Sequence, residues 1–166
     1  MPGVFCSDLT LSLGTWNCNS LFGSSSALSA NFSLQIQKRR RLARLLPFYD
    51  ILAIQETHGS RSDLRELRTL APSHFFCGSF TGPQGGVVLA VKRSICQSEP
   101  SMHVVEPGFG IIASFSTHSG PVSIFNVHVH PHWTPDARLS FFKDASKHII
   151  QHPGCISFVL GDFITQ

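Results

Sequence analysis

Between Asp50 and His58 the chain reads Asp-Ile-Leu-Ala-Ile-Gln-Glu-Thr-His, and this stretch constrains the fold most. Four consecutive apolar residues bounded by polar ones describe a short strand buried on both faces. Such a strand delivers Gln55, Glu56, Thr57 and His58 to its carboxyl end, where ligands and catalytic groups collect in open α/β sheets. One carboxylate held there by a rigid strand suits a divalent-metal site. The remaining question is which residues join Glu56.

The 166 residues fit one domain, 1–166, and 42% apolar residues supply a core in which Phe (14) far outnumbers Tyr and Trp. A charged fraction of 14% and a positive mean hydropathy argue against disorder. No apolar run approaches membrane-spanning length, and no basic segment followed by an apolar one marks a secretory signal. The five cysteines are scattered without a CxxC pair, so neither a zinc knuckle nor a disulfide framework is indicated. Reduced, mostly buried thiols in an intracellular protein, nuclear or cytoplasmic, are expected. A net charge of +3 is compatible with a polyanionic partner without demanding one.

Taken in order, Leu9 to Trp16 suits a first strand, which ends in Asn17-Cys-Asn19-Ser20. Asn17 and Asn19, spaced i, i+2, point the same way if the strand continues; otherwise they are an amide-rich turn. Residues 23–33 read as a loop. Leu34 to Tyr49 reads as a helix with Leu34, Leu42, Leu45 and Leu46 as its apolar stripe and Pro47 as its end. Lys38, Arg39, Arg40, Arg41 and Arg44 crowd its other side, as a nucleic-acid or nuclear-localisation patch or as a solvated helix face, the commoner meaning. A second helix spans Ser60 to Leu70. Strands follow at Ser73–Phe80, Val87–Lys92, Met102–Val105, Ile111–Thr117 and Val122–His130. The cluster at 82–86 is a hairpin turn, since it lacks GxxxxGK[ST] and precedes a strand. A helix at Pro135–Gln151, capped by Thr134, leads into a buried strand at Cys155–Leu160.

Polar groups therefore gather at the tips of four strands: Asn17/Asn19, Gln55/Glu56, Asn126/His128 and Asp162. In this order, Trp16-Asn-Cys-Asn19, Gln55-Glu-Thr-His58, Gly85-Gly-Val-Val-Leu-Ala-Val-Lys92, Phe125-Asn-Val-His128 and Leu160-Gly-Asp-Phe163 resemble the endonuclease/exonuclease/phosphatase domain. The flavour is that of the apurinic-endonuclease-like nuclease of non-LTR retrotransposons. The resemblance implies a four-layer α/β sandwich and phosphodiester cleavage dependent on Mg²⁺ or Mn²⁺. It makes Glu56 the principal metal carboxylate with Asn17 beside the metal. Asp162, His128, Asn126 and Asn17 form the expected catalytic set. With the basic helix added, Asn19, His58, Arg39 and Arg40 are expected against the substrate, a DNA, with the protein a monomer.

The chain also departs from the pattern. Ile164 stands where the family has an amide donor after Gly-Asp-Phe, and losing one such donor costs about 10²–10³ in rate. His128 stands where the family commonly has Tyr; imidazole still donates to a phosphate. The family's Ser-Asp-His element does not follow Asp162 before Gln166, so the sequence reads as a C-terminally truncated domain, with inactivity and marginal solubility expected. Two other readings compete. One is a zinc hydrolase built on the His128/His130 pair. The other is a degenerate module without catalysis. Gly78-Ser-Phe-Thr-Gly82 does not match GxSxG, which excludes that serine-hydrolase elbow.

Overall fold

The strand that carries Glu56 is covered on every side. In the computed structural model, which describes residues 10–23, 30–82, 84–149 and 155–163, β2 (Ile51–Gln55) is buried along its whole length. It pairs in parallel with β1 (Leu13–Asn17) and antiparallel with β4 (Val87–Lys92), which in turn pairs with β3 (His74–Ser79). A second four-stranded sheet has the order β5 (Ser101–Glu106), β6 (Gly110–Thr117), β7 (Gly120–His128) and β8 (Ile156–Asp162). Its β7 and β8 run in parallel.

The period-2 alternation of β2 separates two apolar layers. Ile51 and Ala53 face the second sheet with Leu89, Ile111, Ala113 and Ile124. Leu52 and Ile54 face outward, against Leu42 and Leu46 from the first helical segment and Leu67 from the second. A third layer, with Phe125, Val127 and Phe141, lies on the outer side of the second sheet under α3 (Pro135–Ile149). Helix, sheet, sheet, helix is the expected four-layer α/β sandwich.

Several boundaries differ from the sequence expectation. Helix α1 runs from Ala30 to Leu45, earlier than expected, and tightens into a 3₁₀ turn at Leu46–Phe48. Pro47 causes the change, because it has no N–H to donate to the preceding turn. Leu34 is half-exposed and does not join the apolar stripe. Helix α2 (Arg61–Leu70) starts at Ser60, whose N–H donates to the Asp63 carboxylate at 2.8 Å. The Thr134 hydroxyl accepts from the Ala137 N–H at 3.2 Å, beside Pro135 at the first position of α3.

Strand β7 stops at His128 rather than His130, because its partner β6 begins only at Gly110. Strand β8 is not a buried strand: it lies at the edge of the second sheet, with Ile156 and Val159 about half exposed. It extends to Asp162, two residues beyond the expected Leu160. Gly161 lets β8 press against β7, since a Cβ there would stand 1.9 Å from the Val127 carbonyl oxygen. The described cysteines are unpaired, and burial pushes the Cys18 thiol up to about 12. Among the described residues no helix is long and apolar enough to cross a membrane.

Candidate active site

The parallel pairs β1–β2 and β7–β8 point their carboxyl ends the same way. The register sets Asn17 opposite Gln55 and His128 opposite Asp162. Beyond Asn17 the pairing continues through the loop. The N–H groups of Cys18, Ser20 and Phe22 donate to the carbonyls of Gln55, Glu56 and Thr57 at 3.0, 2.6 and 2.9 Å. On the other side the N–H groups of Thr57 and His58 donate to Gly86 and Gly85 at 3.0 and 2.9 Å. Glu56 is thus clamped from both sides in a left-handed conformation, φ 54°, and His58 follows at φ 50°. Left-handed backbone is rare for such residues and costs of order 1–3 kcal/mol each, held only where surroundings over-determine it. Asn19 and Ser20 facing them are also left-handed, at 44° and 70°.

Across the seam between the sheets, the Asn17 side-chain NH₂ donates to Glu56 Oε1 at 2.9 Å and to Asp162 Oδ2 at 2.7 Å. Its carbonyl oxygen is turned away and accepts from the Asn19 N–H at 3.1 Å. Asn17 therefore presents a donor, not a metal-ligating oxygen, to the two carboxylates. The partial positive charge of its NH₂ lies between the two carboxylates.

His128 completes the cluster. Its Nε2 lies 3.6 Å from Glu56 Oε1 and its Nδ1 3.9 Å from Asp162 Oδ2. Donor atoms of Glu56, His128 and Asp162 all lie within 4.8 Å of one another. The imidazole is buried and stacks on Phe109, with ring centroids 5.9 Å apart. Burial lowers its pKa below the usual histidine value, outweighing the upward pull of Glu56 and Asp162, and His130 and His58 lower it further. At neutral pH it is the uncharged ring, with one N–H to donate.

The cluster opens into a cleft of about 320 Å³ walled by Glu56, His58, Gln84, Phe109, His128 and His130. His58 thus meets this cleft, and Asn19 is exposed just beyond the end of β1. Asn126 does not open onto this cleft. It is fully buried, accepts from Gln55 Nε2 at 2.7 Å and donates to the carbonyls of Val88 and Ile54 at 2.8 and 3.2 Å. Its amide ties the two sheets together behind the cluster. Arg39 is spent on Glu66 of α2 and lies over the Phe22 ring, so it braces α1 rather than facing the carboxylates. Arg40 is exposed on α1. His130 walls the same cleft, but its Nδ1 accepts from the His132 N–H at 3.2 Å, and among the described residues it is outside the cluster of Glu56, His128 and Asp162 donor atoms. Ile164 lies outside the described residues.

Two contributors escaped the sequence reading. Phe109, in the turn after Pro107-Gly108, carries no signal of its own until the fold lays it under His128. Lys38 lay inside the basic run, and its ammonium reaches the carbonyls of Asn19 and Ser20, the latter at 3.2 Å, bracing the β1 tip.

The model of the endonuclease/exonuclease/phosphatase family matches residues 14–163. Among solved structures, TDP2 from Caenorhabditis elegans is similar at 22% identity, with a TM-score of 0.63 over 92% of this chain and 47% of that one. An endonuclease/exonuclease/phosphatase family protein from Bacteroides thetaiotaomicron has 16% identity and a TM-score of 0.68, over 92% and 63%. An AP endonuclease from Archaeoglobus fulgidus has 17% identity and a TM-score of 0.62, over 92% and 57%. The chain spans about half to two-thirds of the length of these structures. No curated protein matches it.

Proposed function

The chain belongs to the endonuclease/exonuclease/phosphatase family, and from that premise we propose that it is a divalent-metal-dependent phosphodiesterase cutting DNA, in the manner of a retrotransposon endonuclease. The observation that carries this reading is the Asn17 amide shared between the Glu56 and Asp162 carboxylates, one from each sheet. Two carboxylates brought this close need a positive partner, and hard oxygen donors facing open solvent suit Mg²⁺ or Mn²⁺. A cation bound there supplies positive charge against the phosphoryl oxygens during in-line displacement.

The side chains divide the remaining work. Glu56, fixed by its clamped backbone, holds the cation. Asp162, on the facing sheet, accepts a hydrogen bond from the attacking water and takes its proton. His128, neutral and rigid on Phe109, donates its ring N–H to a phosphate oxygen. Asn17 sets the spacing of the two carboxylates. Arg40 and Arg44, exposed on α1, offer charge to backbone phosphates of a longer substrate. Two structures similar to the chain are named AP endonucleases, which favours an endonuclease over a phosphatase.

A supercoiled-plasmid nicking assay with Mg²⁺ or Mn²⁺, run beside Glu56→Gln, tests the proposal. Nicking that disappears with EDTA and in the variant is expected. A folded wild-type chain that leaves the plasmid intact with both ions overturns it in favour of a module without catalysis.

A further inference from the structure

The basic run of α1 does not act as one unit. Lys38 turns inward to the carbonyls of Asn19 and Ser20, and Arg39 is held by Glu66 over the Phe22 ring. Arg40, Arg41 and Arg44 are exposed, and no ion pair among the described residues involves them. Arg44 is i+4 from Arg40 and i+3 from Arg41, so the three share one helix face. Neither α1 nor β1 beside it carries an Asp or Glu. Three guanidinium charges therefore stand together with no acidic residue on either element to offset them.

This face is tied to the strand tips. The Arg41 guanidinium lies over the half-buried Trp16 ring, 5.3 Å from its centroid. That cation–π contact fixes a side chain that would otherwise sweep the solvent. Trp16 immediately precedes Asn17, whose amide joins Glu56 and Asp162. Lys38 meets the chain at Asn19 and Ser20, whereas Arg41 meets it at Trp16, so α1 runs down from the tip of β1 towards Arg44. The charged face starts beside the tip and leads away along the flank of the first sheet.

We propose that Arg40, Arg41 and Arg44 form an exosite that grips the phosphodiester backbone of a nucleic acid flanking the cleft and reads no bases. The proposal deepens the reading of a nucleic-acid substrate and rests on it for the class of partner. Guanidinium forks match phosphate oxygens in pairs, and a stacked one is already oriented to do so. Arg40 to Arg44 spans about 6 Å of helix, close to two steps of a strand at about 3.4 Å each. Trp16, half-buried and already carrying Arg41, serves as a prop for the guanidinium and not as a platform for a base.

Fluorescence anisotropy of a labelled DNA duplex with the whole chain in EDTA reads binding apart from hydrolysis. Replacing all three residues, Arg40→Gln with Arg41→Gln and Arg44→Gln, should weaken binding at least tenfold. The slope of log affinity against log salt should fall by about 2–3, the contribution of three phosphate contacts at about 0.9 each. Lys143→Gln with Lys147→Gln, two exposed cations of α3, should leave the slope unchanged. An intact slope in the triple variant overturns the proposal, and so does an equal loss per charge on α3, which would mark net charge instead of a site. Two duplexes of unrelated sequence should bind alike; a preference that the triple variant loses would overturn a face blind to bases. Vesicles of anionic phospholipid bound in preference to DNA, and released by the same substitutions, would overturn the choice of partner. If circular dichroism shows the triple variant unfolded, Arg44→Gln alone carries the test, with a slope lower by about 0.9. Plasmid nicking with an intact slope would sink the exosite and leave the hydrolase; a lowered slope without nicking by the wild type would do the reverse.

Discussion

Asn17 and Asp162 are 145 residues apart in sequence and 2.7 Å apart in space, joined by one amide-to-carboxylate hydrogen bond between the tips of two different sheets. The same NH₂ reaches Glu56, so a single side chain holds two like charges together. Asn17→Asp would place a third carboxylate there. The variant should melt several degrees below the wild type at pH 7 without divalent ion, and Mn²⁺ should restore more stability to it than to the wild type, since ligands stabilise the state that binds them. Equal Mn²⁺-induced shifts in both proteins would contradict this arrangement.

Glu56 sits in left-handed backbone beside a second carboxylate, so it is costly to the fold. Glu56→Gly removes both the strain and the repulsion, at some cost in unfolded-chain entropy. It should raise stability to denaturant by about 1 kcal/mol while abolishing metal-dependent nicking. A destabilised variant would show that the carboxylate contributes to folding.

Gly161 has no room for a side chain. Gly161→Ala drives a Cβ against the Val127 carbonyl oxygen, and relief requires moving β8 away from β7. The expected loss is about 3 kcal/mol, measured by urea unfolding, together with weaker Mn²⁺ binding because Asp162 moves with the strand. Wild-type stability in this variant would refute the close strand contact.

Asn126 tests whether a motif residue acts in chemistry or in architecture. Its amide bridges Gln55 and the carbonyls of Ile54 and Val88, deep in the interior. Asn126→Leu strands those partners, and burying unsatisfied groups costs about 1–3 kcal/mol each. The unfolding midpoint should drop sharply. A variant of native stability with lost nicking would instead assign Asn126 to catalysis.

Acid should weaken the fold through His74. Burial is the first cause that lowers its pKa below the unfolded value of 6.5, with Lys92 acting in the same direction against the raising influence of Leu46 and Asp50. The unfolded chain then binds a proton more readily than the folded one. Stability is full above pH 6.5 and falls as the pH drops through that value toward the lower folded pKa. Chemical denaturation between pH 7.5 and 5 should show this slope, and His74→Gln should flatten it. An equal slope in both proteins would remove His74 as the cause.

The architecture was legible wherever a local pattern decided it. The apolar run Ile51–Ile54, the glycine-rich turn before Val87 and Pro135 at a helix start each act within a few residues. Glu56 and Asp162 could be placed at strand tips for the same reason. What required three dimensions was less accessible. Cys155–Leu160 looks like an interior strand because apolar content alone does not tell an edge from a centre; the neighbouring strand does. Asn126 and His128 sit two residues apart on one strand, yet only the facing sheet decides that one is buried among carbonyls and the other meets the carboxylates. Arg39 belongs to a basic run until Glu66, on the next helix, claims it.

The exposed position of β8 sets how this site would fail. Asp162 hangs on a strand that, among the described residues, has one hydrogen-bonded neighbour, whereas Glu56 lies on one of the best-protected strands. Strands at the periphery open at lower free energy than the interior. On heating, the two halves of the cluster should therefore separate before the sandwich melts. The described residues would then pass through a stage that is folded and compact, with Asp162 parted from Asn17 and Glu56.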